Sequence, residues 1–264
     1  MLTSIRGLVA ASLIAGSVLT AAPAFADETD PPSAITITGN VAGVTDYRFR
    51  GLSQTSGDPA IQGSININHS SGIYAGAWSS SLDFRAVGPA AVAVYGNQEL
   101  DLYAGWTGPV ASGLTFDGGL LYYAYPGGHV GKAEFFEPYA SLTGAIGPVT
   151  AKAGVAYAWK QAALDFNADG KNDDNVYVYG ELGSSIPNTP ISVLGHLGWT
   201  KGALSPKFAT GQTADYAGGF DYSIGASANV YKGLSLGVSY VGVDGNSIKK
   251  YSDDTVVGTI KYSF

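Results

Sequence analysis

"TDYRFRGLSQTSGDPAIQG", residues 45–63, alternates charge with aromatic rings: Asp46, Arg48 and Arg50 fall on one side of an extended chain, Tyr47 and Phe49 on the other. Successive side chains of a strand point to opposite faces. Two arginines and a carboxylate are costly to remove from water, whereas aromatic rings gain by leaving it. Such a strand needs a different solvent on each face. In a membrane barrel the rings would face lipid or its interface and the charges a watery lumen. An Arg or Lys on the lipid face costs about 2–4 kcal/mol at the midplane, so parity decides the side.

Outward from this stretch the same period of two recurs. It predicts twelve strands, near 34–50, 59–69, 72–85, 97–107, 113–126, 132–146, 149–160, 174–186, 190–200, 215–230, 233–243 and 254–264. In the third, Tyr74, Gly76, Trp78, Leu82 and Phe84 oppose Ser79, Ser81, Asp83 and Arg85; in the fourth, Leu100, Leu102, Ala104 and Trp106 oppose Glu99, Asp101 and Tyr103. Connections rich in Gly, Pro, Asn and Ser ("HSSG", "GPVASG", "GP", "PNT", "YKG") alternate with longer polar ones such as 87–96, 161–173 and 201–214. A soluble β-sandwich also alternates apolar with polar residues, but gives no reason for a short–long rhythm. Transmembrane barrels do, having short periplasmic turns and longer extracellular loops. The expectation is an all-β, antiparallel, up-and-down transmembrane β-barrel of twelve strands with both termini periplasmic.

Composition agrees. Charged residues make up 13% of the chain, against about 25% in soluble domains, while Gly (37) and Tyr (17) are abundant. Past residue 26 no apolar run reaches the roughly 18 residues of a spanning helix. The first 26 residues, with Arg6, the apolar run "GLVAASLIAGSVLTA" and "AFA" before Asp27, follow the pattern of a cleaved Sec signal peptide; a retained anchor is the alternative, disfavoured by the short run. Residues 27–33 then form a short linker and 34–264 the barrel. Cleavage would leave 238 residues and a formal charge of −8, since Arg6 leaves with the leader. An acidic chain is a poor partner for nucleic acid. It has no cysteine, so neither disulfides nor thiol chemistry are available.

The block "DYRFRGLSQTSGDPAIQGSININHSSGIYAGAWSSSLDF", followed by "ELDLYAGW", resembles the TorF-family porins, a proteobacterial outer-membrane family first catalogued without a function. The match is tightest over about residues 44–106 and looser in the later strands. The resemblance implies an outer-membrane β-barrel with pore activity, and it carries no catalytic residues.

By parity the lumen receives Asp46, Arg48, Arg50, Asp83, Arg85, Glu99, Asp101, Asp117, Glu137, Lys152, Lys160, Glu181, His196, Asp221 and Lys261, a net charge of −2 with His196 neutral. These groups either set a transverse field across a narrow pore for small hydrophilic solutes, or pair and brace a nearly closed lumen, as in a structural or surface-interaction barrel. If a loop folds inward, 86–96 is the candidate. "DFNADGKNDD" (165–174) offers Asp165, Asn167, Asp169 and Asp173 at calcium-loop spacing around Gly170, but Val176 stands where a bidentate Glu belongs. A solvated acidic loop is the simpler reading, and no other cofactor is expected. His69, His129 and His196 lie in no G-x-S-x-G or H-E-x-x-H setting, so a barrel enzyme is disfavoured. The last strand, "VVGTIKYSF", ends on Tyr262 and Phe264 in the manner of the signal by which barrel-assembly machinery recognises outer-membrane substrates. Outer-membrane lipid, that machinery and the solutes are the expected partners.

Overall fold

The computed structural model describes residues 34–129, 131–166, 169–213 and 216–264. The expected leader (1–26), the linker (27–33) and Asn167 lie outside the described residues. Among the described residues, twelve strands close a barrel: β1 (Ile35–Val44), β4 (Ala60–His69), β5 (Ile73–Ser81), β6 (Gln98–Ala111), β7 (Leu114–Ala124), β8 (Phe135–Ile146), β9 (Val149–Gln161), β10 (Asp173–Ser185), β11 (Ile191–Gly202), β12 (Gly219–Tyr231), β13 (Leu234–Val243) and β14 (Thr255–Ser263). Two further short strands, β2 (Arg48–Phe49) and β3 (Leu52–Ser53), pair with each other outside this sheet.

Each barrel strand pairs antiparallel with its neighbour in sequence, and β1 closes the ring against both β4 and β14. Closure removes the edges on which unpaired backbone groups would otherwise stand. The five connections 70–72, 112–113, 147–148, 186–190 and 232–233 are short and share one end of the barrel with both ends of the described chain: Ala34 O accepts from Ser70 N at 2.8 Å, and Ser263 N donates to Gly233 O at 2.8 Å. The long loops, 45–59, 82–97, 125–134, 162–172, 203–218 and 244–254, share the other end. Helix α1 (Pro89–Tyr95) lies in the second of them and α2 (Pro206–Ala209) in the fifth.

The outer face is apolar. Ile61 is 74% exposed, Ile224 66%, Val256 61% and Leu182 60%. Aromatic rings gather outside in two groups: Trp106 with Phe116 (centroids 6.2 Å apart) toward the short turns, and Tyr122, Phe136 and Trp159 (4.6 and 5.9 Å) toward the long loops. No helix among the described residues is long and apolar enough to cross a membrane, which says nothing about strands.

Two sequence expectations need correction. The first strand ends at Val44, six residues earlier than 34–50 implies, and the chain then turns into the barrel. Tyr47 is therefore buried (3% exposed) inside, against Trp78, Leu82 and Phe84, rather than facing lipid, and Phe49 packs on the Tyr123 ring within the lumen. On β5 the apolar face is the inner one: Tyr74 and Trp78 are buried while Ile73 is 60% exposed. Period two identifies two faces but not which is inside. Here the inner face carries rings because a loop has come in to meet them, and Ala and Ser suffice outside.

Candidate functional site: a lumen filled by its first loop

The hairpin formed by β2 and β3 turns on Arg50 and Gly51, with φ of 47° and 81°. Positive φ at both central residues is the geometry of a two-residue hairpin turn. Gly51 admits no side chain, since a Cβ there would lie 2.2 Å from a Val243 methyl on β13. The hairpin is braced internally by Asp46. Its Oδ1 accepts from Ser53 Oγ (2.6 Å) and Thr55 Oγ1 (3.1 Å), and its Oδ2 from Arg48 Nε (2.5 Å). Arg48 Nη1 donates to the backbone carbonyls of Gly51, Tyr251 and Asp253 at 3.0–3.2 Å, tying the hairpin to the last long loop. The charges of the opening stretch are thus inside, as parity requires, but on a folded plug rather than on the wall.

Arg50 reaches the opposite wall. Its Nη2 donates to both oxygens of Glu137 on β8, at 2.8 and 2.7 Å, and its guanidinium lies over the rings of Tyr177 on β10 (4.2 Å) and Phe49 (4.8 Å). Tyr123 on β7 donates to the same Glu137 carboxylate at 3.0 Å. With Gly51 against β13 and Arg50 on β8, strands nearly opposite around the ring, the hairpin tip spans the lumen.

Pro138 fixes the backbone beside Glu137. It lacks an N–H, and strand interiors seldom accept that loss. The ladder from β8 to β9 runs only from Tyr139 toward Ile146, and above it the Gln161 side chain substitutes for a strand: Phe136 N donates to Gln161 Oε1 and Gln161 Nε2 to Phe136 O, both at 2.8 Å.

Around and below the plug stand the other inward groups. Glu99 and Asp101 on β6 are buried (3% and 1%), and Asp101 Oδ1 has no hydrogen-bond partner among the described residues. Asp117 accepts from Tyr74 OH at 2.6 Å. His196 stands between Glu181 (Nδ1, 3.2 Å) and Asp221 (Nε2, 3.1 Å), with Tyr177 OH 2.8 Å from Nε2. Lys152 lies over the Tyr179 ring at 5.5 Å, and Lys261 is buried on β14. A small cavity of about 40 Å³ lies in the bore, lined in part by Ser223, Ser227, Ser235, Ser239, Thr259 and Lys261.

Three expected lumen residues stand elsewhere. Asp83 and Arg85 lie beyond the end of β5 and pair with each other at the rim, Arg85 also with Asp58 at 3.0 Å; the Arg85 side chain is 71% exposed. Lys160 is exposed at the loop end of β9. Both corrections arise where a strand meets its loop and parity stops applying. The inward loop is 45–59 rather than 86–96, although Tyr95 of α1 does cover the plug from above, tilted against Phe84 (5.0 Å) and edge-on to Tyr125 (4.8 Å). Of the tyrosines that line the bore, Tyr103 is grouped with Glu99 and Asp101 by the sequence and Tyr74 with the apolar face of its strand, while Tyr139, Tyr177 and Tyr179 were not singled out. The signal for them is a Gly on the adjacent strand beneath each ring, as Gly154 lies beneath Tyr179 and Gly198 beneath Tyr177.

In the 165–174 loop, of which Asn167 lies outside the described residues, the carboxylates meet protein donors. The Asp165 carboxylate accepts from the backbone N–H groups of Asp169 (3.2 Å) and Gly170 (3.1 Å), and Asp173 Oδ2 accepts from Tyr216 OH (2.7 Å). No group of three or more metal-ligating side chains occurs among the described residues. Tyr262 and Phe264 both point outward, 52% and 59% exposed, and the Phe264 backbone exchanges hydrogen bonds with Gly39 (2.9 and 3.0 Å).

This fold is that of outer-membrane porins. A NanC porin aligns with a TM-score of 0.56 at 13% identity, covering 86% of this chain and 98% of that one. A KdgM porin gives 0.55 at 9% identity (86% and 99% covered), and KdgM in complex with disordered oligogalacturonate gives 0.54 at 9% (87% and 99%). No curated protein matches the sequence. The chain belongs to the family described as "Bacterial protein of unknown function (Gcw_chp)", whose sequence model matches residues 28–264.

Proposed function

We propose that the chain is an outer-membrane porin of Gram-negative bacteria, of the TorF type, through which small hydrophilic solutes diffuse down their gradients past an in-folded first loop. The observation that carries this is the inversion of polarity across a closed sheet, apolar and ring-bordered outside, charged and hydroxyl-lined inside. In this reading the leader is removed on export, both termini and the short turns face the periplasm, and Tyr262 and Phe264 present the assembly signal. In this reading the role is not enzymatic: His196 is braced between two carboxylates and a phenol, with no serine, threonine or cysteine among its hydrogen-bond partners.

Planar-bilayer recording of the refolded mature chain tests it. Small unitary steps with a reversal potential under a salt gradient are expected, and larger steps from a variant in which residues 46–57 are replaced by a short Gly–Ser turn. A second reading, a structural barrel with a permanently plugged lumen, is favoured by the depth to which Arg48 and Arg50 are buried (5% each). A silent wild type that conducts once 46–57 is replaced would select it.

A further inference from the structure

Arg50 sits in a receptacle that the barrel wall builds without it. Glu137, Tyr123 and Tyr177 belong to β8, β7 and β10, not to the hairpin. Tyr123 OH holds the Glu137 carboxylate at 3.0 Å, and Pro138 with the Gln161 stitch fixes the backbone beside it. The Tyr177 phenol is held by Asp221 (3.1 Å), and its ring lies across Gly198, where a Cβ would come within 2.2 Å of the phenol oxygen. The outcome is a fixed carboxylate beside a fixed ring face, the arrangement that recognises guanidinium and ammonium groups.

The present occupant fits imperfectly. Arg50 Nη1 is buried with no hydrogen-bond partner, and Arg50 is held at a φ of 47° that non-glycine residues seldom adopt. The rest of the bore favours the same charge. Glu99 and Asp101 stand beside the plug, and the Tyr177–Asp221–His196–Glu181 chain runs from the receptacle down the bore toward the short turns. Among the described residues, seven inward carboxylates (Asp46, Glu99, Asp101, Asp117, Glu137, Glu181, Asp221) outnumber four inward cations (Arg48, Arg50, Lys152, Lys261). Lys152 over Tyr179 repeats the pairing of a cation with a ring face lower in the bore.

We infer that the Glu137–Tyr123–Tyr177 receptacle is a binding site for the guanidinium or ammonium group of a cationic organic solute, which Arg50 occupies as a tethered surrogate. Its transport consequence, that such solutes compete with Arg50 and displace the plug, rests on the porin reading; the binding itself does not. Oligogalacturonate, the polyanion bound by the KdgM structure, has the opposite charge to the one this lumen takes.

The probe is methylguanidinium chloride, with NaCl at equal ionic strength and neutral methylurea as controls. It is added to the refolded full-length barrel in detergent and in planar bilayers. In Arg50→Ala it raises the melting midpoint by about 3–6 °C at tenfold its dissociation constant and blocks the current. It does neither in the wild type at that concentration, nor in Arg50→Ala/Glu137→Gln. Should Arg50→Ala not fold, the 46–57 replacement, with and without Glu137→Gln, takes its place. Equal shifts with and without Glu137, a matching response to methylurea, or no shift would each overturn the site. The melting readout needs no current, so the two readings separate. Stabilisation in a silent barrel keeps the site and removes the pore, whereas current without stabilisation does the reverse.

Discussion

At the scale of single residues, the contact between Arg50 and Glu137 decides whether the plug stays. Both side chains are nearly inaccessible (6% and 3%), so removing one leaves the other as an uncompensated buried charge, a loss of about 3–5 kcal/mol in comparable pairs. Glu137→Ala should therefore release the hairpin before it melts the barrel, and limited proteolysis should cut within 45–58 while strands remain protected. Cleavage at the wild-type rate would show that Arg48 and Asp46 hold the hairpin unaided. Gln161→Ala should cost about 1–3 kcal/mol through the two hydrogen bonds lost at Phe136, read as a lower denaturant midpoint. At the rim the electrostatics are mild. The Arg85 hydrogen bonds hold the Asp83 carboxyl below the usual carboxylate range. A lowered folded pKa means the stabilisation is present above the unfolded value near ~3.9 and is lost as pH falls through the folded one. An NMR titration of Asp83 should give a midpoint below ~3.9, returning toward it in Arg85→Ala.

At the scale of elements, the hairpin and the wall are separable. The β1–β4 ladder has ten paired residues, Ile35↔His69 through Val44↔Ala60, and none belongs to the plug. Replacing 46–57 should leave the barrel heat-modifiable on gels, a shift between folded and boiled mobility that a collapsed barrel would not show. Much of the wall was legible from alternation: all twelve expected strands begin within four residues of the observed ones, and the short–long rhythm of connections holds throughout. The hairpin was not legible. "DYRFR" alternates as a strand does, and the information that ends β1 at Val44 lies in Glu137, Tyr251 and Asp253, far along the chain. For the same reason the lumen charges on strands were placed by parity, while Asp83 and Arg85, past the last paired residue of β5, and Lys160, at the register shift near the loop end of β9, were not.

At the scale of the molecule, the sign of a substitution's effect should depend on which face it alters. Ile224 points outward and is 66% exposed, and Ser223 beside it faces the bore. If the outer face meets lipid, Ile224→Arg costs about 2–4 kcal/mol near the midplane, whereas Ser223→Arg costs little and shifts ion preference away from cations. Reversible unfolding in lipid vesicles measures the first and reversal potentials the second. In a water-soluble barrel an exposed Ile→Arg change would stay within about 0.5 kcal/mol, so equal stability of the two variants would refute a membrane location.

The ties between the plug and Tyr251 and Asp253 join positions 203 and 205 residues apart. The hairpin emerges early in synthesis, yet the groups that receive it, on β8, β10, β13 and the last loop, exist together only once the ring is complete. Loop closure over such a separation must precede the reward. Docking of the hairpin is therefore the final event of folding, and every earlier intermediate carries an unobstructed bore. A barrel halted before closure would leak, and only the finished one carries its constriction.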